Sequence, residues 1–141
     1  EDDANHTLRK LMAIPMPPAV AEPFCQRFNL ELVPQGLGQS EALRLIAPVM
    51  GRTQPPGSCG SVVPGIEVRL VGEDGRDVLP GEPGELWVKP LRPNFIFNGY
   101  FDNPEATAAA YEGEWYKTGD LLRCTEEGFY FFSDRKKDAV R

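Results

Sequence analysis

Histidine is almost absent from this chain and cysteine is sparse. One histidine (His6) and three cysteines (Cys25, Cys59, Cys124) among 141 residues make no C-x-x-C pair and no cysteine–histidine zinc set. An odd number of widely spaced thiols points to reduced cysteines in a cytoplasmic protein. No apolar run nears the ~20 residues of a membrane span, and no cationic-then-apolar leader opens the sequence. Basic residues are outnumbered, 15 against 21 acidic, for a net charge of −6. That balance excludes the basic stripe of a nucleic-acid binder. Glycine and proline, by contrast, are abundant at 14 each, well above the roughly 12% the pair averages. The chain is rich in turns, yet 41% hydrophobic residues can still build a core.

Leu8–Ile14 reads as a buried strand stopped by Pro15, Pro17 and Pro18. Val20, Phe24, Cys25 and Phe28 fall at helical spacing, with Pro23 expected in the first turn, and Leu30–Val33 reads as a second strand. Strand–helix–strand order belongs to an α/β layer. After about residue 52 the character changes. Ile66, Val68 and Leu70 alternate as a half-buried strand, Glu73-Asp74-Gly75-Arg76 makes a hairpin turn, and Glu85–Lys89 is another strand. Asn103-Pro104 opens a short helix through Ala110, and 120–124 pairs with 129–132 as a hairpin. The expected fold is α+β: a strand–helix–strand piece of an α/β subdomain (1–52), then an irregular antiparallel β-barrel (53–134).

Four constellations carry chemistry. Leu37-Gly38-Gln39-Ser40-Glu41 can offer a hydroxyl donor to phosphate and a carboxylate to Mg²⁺, or can simply be a strand exit with an N-capping Ser40. Tyr116-Lys117-Thr118-Gly119-Asp120 can hold a carboxylate for a vicinal diol, or be an ordinary Asp turn. Ser133–Asp138 contains Arg135, a fork of donors for sugar or phosphate, or a solvated charge cluster. Gly84-Glu85-Leu86, with Gly99-Tyr100 and Asn103–Thr107, reads as strand, turn and helix cap.

Taken in this order, these motifs resemble the adenylate-forming enzymes: acyl- and aryl-CoA synthetases, peptide-synthetase adenylation domains and luciferases. The resemblance runs from about Leu8 onward and rests on Gly38–Glu41, Gly84-Glu85-Leu86 with Gly99-Tyr100, Thr118-Gly119-Asp120 and the Asp-Arg-Lys-Lys-Asp run at 134–138. It implies a two-step ligase in which a small carboxylic acid and ATP give an acyl-adenylate, and CoA then displaces AMP. On that pattern Ser40 contacts phosphate, Glu41 holds Mg²⁺, Leu37 and Gly38 border the nucleotide, Asp120 grips the ribose hydroxyls with Arg135 assisting, and Lys137 lies in a hinge (135–141) before a C-terminal lid.

The sequence departs from the pattern at two places: Leu37 stands where an aromatic residue is usual, and Ala13-Ile14-Pro15 replaces a glycine-rich segment. The family's phosphate loop and catalytic lysine are not within these residues, so the chain is expected to be a piece of a longer enzyme, inactive alone. It is also expected to self-associate through exposed strand edges around 8–33. Details at 6–41 and 96–107 resemble the crotonobetaine/carnitine-CoA ligase branch, with a fatty-acyl ligase equally open. Three other readings remain: a non-catalytic scaffold of the same fold, an adenylating enzyme without CoA transfer, and a luciferase-like oxygenase.

Overall fold

The computed structural model describes residues 3–13, 16–33 and 35–136, and the chain divides into two units, Glu1–Gln35 and Gly36–Arg141. In the first, β1 (Lys10–Leu11), α1 (Pro18–Phe28) and β2 (Glu31–Leu32) follow one another, and β1 pairs with β2 in parallel. The expected strand–helix–strand order is present, although each strand is only two residues long. Pro18 opens the helix where a missing N–H costs nothing. Pro23, expected in the first turn, instead lies inside the helix. Its missing N–H leaves the Ala19 carbonyl without a helical donor, and both residues are exposed, so water can serve that carbonyl. Asn29 ends the helix in the left-handed region (φ 48°), and the Leu30 N–H returns to the Cys25 carbonyl at 2.9 Å.

The second unit is almost entirely antiparallel sheet. β3 (Leu37–Gln39) turns through Ser40-Glu41 into β4 (Ala42–Ala47), whose other edge takes β5 (Ser61–Val62). β6 (Ile66–Val71) and β7 (Gly84–Pro90) pair in unbroken register from Ile66↔Pro90 to Val71↔Glu85. After α2 (Pro104–Ala109) and β8 (Tyr111–Glu112), β9 (Trp115–Cys124) pairs with β7, β8 and β10 (Tyr130–Arg135), giving the order β10-β9-β7-β6. Asn103 caps α2 as its sequence required, its side-chain oxygen accepting from the Ala106 N–H at 3.0 Å.

The larger sheet curls toward the smaller one. Tyr130 bridges Gly60 beside β5, with paired backbone bonds of 2.8 Å from the Cys59 N–H to the Tyr130 carbonyl and from the Tyr130 N–H to the Gly60 carbonyl. The result is a half-barrel in an α+β chain, as the turn-rich second half implied. Its core holds Leu45 and Ile46 of β4, Ile66 of β6, Leu86 and Val88 of β7, and Tyr116 and Leu122 of β9. The change of character expected near residue 52 therefore differs from the physical division at Gln35/Gly36. β3 and β4 bring Leu37, Ala42, Leu45 and Ile46 into the half-barrel core.

Gly60 makes the junction of the sheets possible. At φ 106°, a Cβ there would lie 2.0 Å from the Ala47 carbonyl oxygen. Replacing Gly60 by Ala should cost about 3 kcal/mol of unfolding free energy, strain and overlap adding. Gly75→Ala, where nothing lies within 4 Å of the new Cβ, should cost only about 1 kcal/mol for its left-handed backbone. Urea denaturation midpoints of the two variants check the difference.

Candidate functional site

The site begins with a bend in β9. On β7, Glu85 pairs with Leu121 and Trp87 with Lys117, so three β9 residues, Thr118, Gly119 and Asp120, face Leu86 alone. Gly119 absorbs the excess in the left-handed region (φ 74°) that glycine enters at no steric cost. The Thr118 hydroxyl donates to the Leu86 carbonyl at 2.8 Å and accepts from the Asp120 N–H at 3.1 Å, pinning both ends of the bulge. Glu85, itself buried, accepts the Gly119 N–H at 3.1 Å and the Lys136 ammonium at 3.0 Å.

Asp120 is thereby held only 6% exposed. Its Oδ1 lies 3.5 Å from Nε of Arg135, its register partner across β9 and β10. Its Oδ2 accepts from Nε2 of Gln39 at 3.3 Å. Burial pushes the Asp120 carboxyl above its usual range; the Arg135 charge opposes this, and the Glu41 and Glu85 charges add to the rise. The bulge at Ser133, between the Phe132↔Leu122 and Asp134↔Leu121 pairs, brings Arg135 opposite Asp120. Arg135 therefore belongs to a paired strand, whereas its charge cluster alone is equally compatible with solvated surface.

Glu41 sits in the β3–β4 turn and accepts the Tyr100 hydroxyl at 2.8 Å. Burial and the Glu41 contact raise the Tyr100 pKa. Among the described residues Glu85 is paired with Lys136 and Asp120 with Arg135, while the partner of Glu41 is a neutral phenol. Of these three carboxylates, Glu41 is the one left uncompensated by a protein cation. No group of three or more metal-ligating side chains occurs among the described residues.

A cavity of about 610 Å³ connects these groups, lined by Gln39, Glu41, Glu85, Tyr100, Tyr116, Lys117, Thr118, Gly119, Arg135 and Lys136, with Ala109 and Ala110. Asp120 lies just behind this wall, between Gln39 and Arg135. The structure thus gathers Glu41, Asp120 and Arg135 from three distant motifs. Ser40 is exposed in the turn, and no helix follows it, so the N-cap reading fails because the chain enters β4 instead. Leu37 packs against the core and does not line the cavity. Gly38 permits the tight hairpin, since a Cβ there would meet the Leu43 carbonyl oxygen at 2.0 Å. Lys137 lies outside the described residues.

Sequence reasoning did not nominate Gln39, Tyr100, Tyr116, Glu85 or Lys136 as site residues. All five stand inside quoted motifs, and that adjacency was the available signal.

The sequence matches the AMP-binding enzyme family over residues 1–101. It is 38% identical over 125 residues to the human acyl-coenzyme A synthetase ACSM5, mitochondrial, covering 87% of this chain and 21% of that protein. It is 33% identical over 126 residues to the uncharacterized acyl-CoA ligase YtcI of Bacillus subtilis, covering 89% and 23%. The crystal structure of the anthranilate CoA ligase AuaEII with anthranoyl-AMP superposes with a TM-score of 0.76 at 26% identity, over 95% of this chain and 26% of that one. The chain belongs to the AMP-binding enzyme family and spans about a fifth of the length of the curated relatives it matches.

The burial of Asp120 gives a pH prediction. A carboxyl whose folded pKa exceeds its unfolded value leaves the native state holding more protons, so stability falls as pH rises from about the ordinary value of 3.8 through the raised one. Asp120→Asn removes that loss: the variant should be more stable at pH 7 and show a flatter stability profile above pH 4. Urea midpoints from pH 4 to 8 test this, and a less stable variant at pH 7 contradicts it.

Proposed function

We propose that this chain forms the sugar- and metal-facing wall of the nucleotide site in an AMP-forming acid–thiol ligase. Such an enzyme joins a carboxylic acid to ATP as acyl-AMP, releasing pyrophosphate, and passes the acyl group to CoA. The observation that carries the reading is Asp120, a buried carboxylate held behind a 610 Å³ cavity by two residues that line it. A carboxylate offers about four lone-pair positions. Gln39 and Arg135 use two of them, leaving two for a vicinal diol. Arg135 would assist at the sugar, and Gly38 would keep the turn narrow beside it.

Mg²⁺, bound as usual through one or two carboxylates plus substrate phosphates, would be held by Glu41, whose partner Tyr100 is uncharged. The ion would neutralise charge on the phosphates. Ser40, whose exposed hydroxyl makes no hydrogen bond among the described residues, would donate to a phosphate oxygen. Leu37 would contribute from behind the nucleotide wall. The segment 135–141, with Lys137, would be the hinge, because β10 ends at Arg135.

The acyl substrate is best sought among acids accepted by acyl-coenzyme A synthetases; the relatives reported above give the crotonobetaine/carnitine branch no support. The three thiols are free, which suits the cytoplasm and equally the mitochondrial setting named for the human relative. No helix among the described residues is long and apolar enough to cross a membrane.

The test is acid-dependent pyrophosphate release by the whole protein carrying this segment, with and without CoA, over a panel of carboxylic acids. Turnover is expected, with thioester formed only when CoA is present. Release on no acid would favour the scaffold reading, and acyl-AMP without thioester would favour adenylation alone. Asp120→Ala should lower kcat/KM for ATP about 100-fold, the loss of a charged hydrogen-bond pair. The isolated chain should bind ATP negligibly, because Arg135 and Lys136 are already paired with carboxylates; micromolar binding by calorimetry would contradict this. It should also self-associate, since Leu8 and Met12 beside β1 are exposed; a monomer in sedimentation at all concentrations would argue against it.

A further inference from the structure

We propose that Gln39 is a positioning residue for Asp120, locking the carboxylate's rotation so that its remaining lone pairs face a sugar diol. This rests on the reading of Asp120 as the sugar carboxylate. The Gln39 side chain is fixed at both ends. Its Nε2 donates to Oδ2 of Asp120 and to the Thr118 carbonyl, each at 3.3 Å. Its Oε1 accepts from the hydroxyl of Tyr116 at 2.9 Å.

The partners determine which way the amide faces. A carboxylate and a backbone carbonyl can only accept, so they must meet the NH₂ end, and the phenol then donates to the oxygen. Tyr116 is 2% exposed and belongs to the half-barrel core, so the hydroxyl that orients the amide cannot swing away.

Arg135 alone would not suffice. Its side chain is largely exposed, and its Nε stands 3.5 Å from Oδ1, longer than an ordinary hydrogen bond, so it holds one oxygen loosely. Gln39 supplies the second point of attachment, on the other oxygen, from a hairpin packed into the core. Two contacts on two oxygens define a plane; one does not. The recognition chemistry implied is that of a cis-diol such as a ribose, where both hydroxyls must find acceptors at once.

The experiment compares ATP with 2′-deoxy-ATP in the whole protein, reading kcat/KM for each. The unsubstituted protein should prefer ATP, and Asp120→Asn should erase most of that preference. Gln39→Met, nearly isosteric but without the amide, should narrow the preference about tenfold, the loss of a hydrogen bond to a charged group, with the change in KM for ATP rather than in kcat. A purely structural role would lower both nucleotides equally. Gln39→Glu provides a second test should Met disturb the hairpin. At pH 8 its carboxylate can only accept, so it too fails to donate to Asp120, and the preference should narrow as it does in Gln39→Met. Preservation of the full preference in Gln39→Met, with Asp120→Asn losing it, overturns the inference and leaves the sugar reading standing. Equal use of both nucleotides by the unsubstituted protein, or an unaffected Asp120→Asn, removes the sugar reading and the inference together.

Discussion

A carboxylate is kept almost out of water in this half-barrel only because β9 bends at Gly119. Straight pairing of β7 with β9 would carry Thr118 and Asp120 past Leu86 in ordinary alternation. The bulge instead packs three residues against one, and hydrogen bonds from the Thr118 hydroxyl to the Leu86 carbonyl and from the Gly119 N–H to the Glu85 carboxylate hold it closed. That bend exposes the Gly119 N–H and carbonyl to Glu85 and Lys136 and brings Asp120 within reach of Gln39, while the second bulge, at Ser133 on β10, sets Arg135 opposite Asp120. The raised pKa of Asp120 is the energetic cost of the same arrangement. The Arg135 charge beside it works against that rise.

Local chemistry in the sequence foretold a good part of the fold. The Asn103-Pro104 cap, the Asp74-Gly75 turn and the strand at 66–71 each have a short-range cause and appear where that cause puts them, although Val71, expected on the outer face, is buried. The β3–β4 hairpin was not legible, because Ser40-Glu41 is not a turn pair with a left-handed preference. Its tightness comes from Gly38 passing close to Leu43, a contact visible only once the strands are paired. Pro23 misled for the opposite reason: a helix held by its neighbours can absorb one missing donor on its wet side.

The site was legible as a set of motifs and not as a network. Glu41, Asp120 and Arg135 could be named from their local settings, but their supporting partners are far away in the chain. Gln39 reaches Asp120 across 81 residues and Tyr116 across 77, while Tyr100 reaches Glu41 across 59. No periodicity or spacing encodes such contacts; they exist because β3, β7, β9 and β10 converge on one cavity. Leu37 shows the converse. It stands inside the motif and shares a face of β3 with Gln39, two residues on, yet it packs against the core while Gln39 lines the cavity.

On the proposed reading, the charge pattern around the cavity also accounts for how an acidic chain would serve a polyanionic nucleotide. With a net charge of −6, the wall would repel phosphates if its carboxylates stood unpaired. Two of them are matched, Asp120 by Arg135 and Glu85 by Lys136, and the pairing commits those cations to protein partners. Among the described residues the acid without a cation partner is Glu41, which a neutral tyrosine holds in place. Negative charge is thus concentrated at one point of the wall, where a divalent cation would convert repulsion into attraction. Elsewhere the wall presents hydrogen-bonding groups with nearly balanced charge, which suits a neutral sugar better than a phosphate. On the proposed reading, the division of labour between Glu41 and Asp120 would follow from their partners: a fixed phenol would leave charge for a metal, while an amide and a guanidinium would leave lone pairs for hydroxyls.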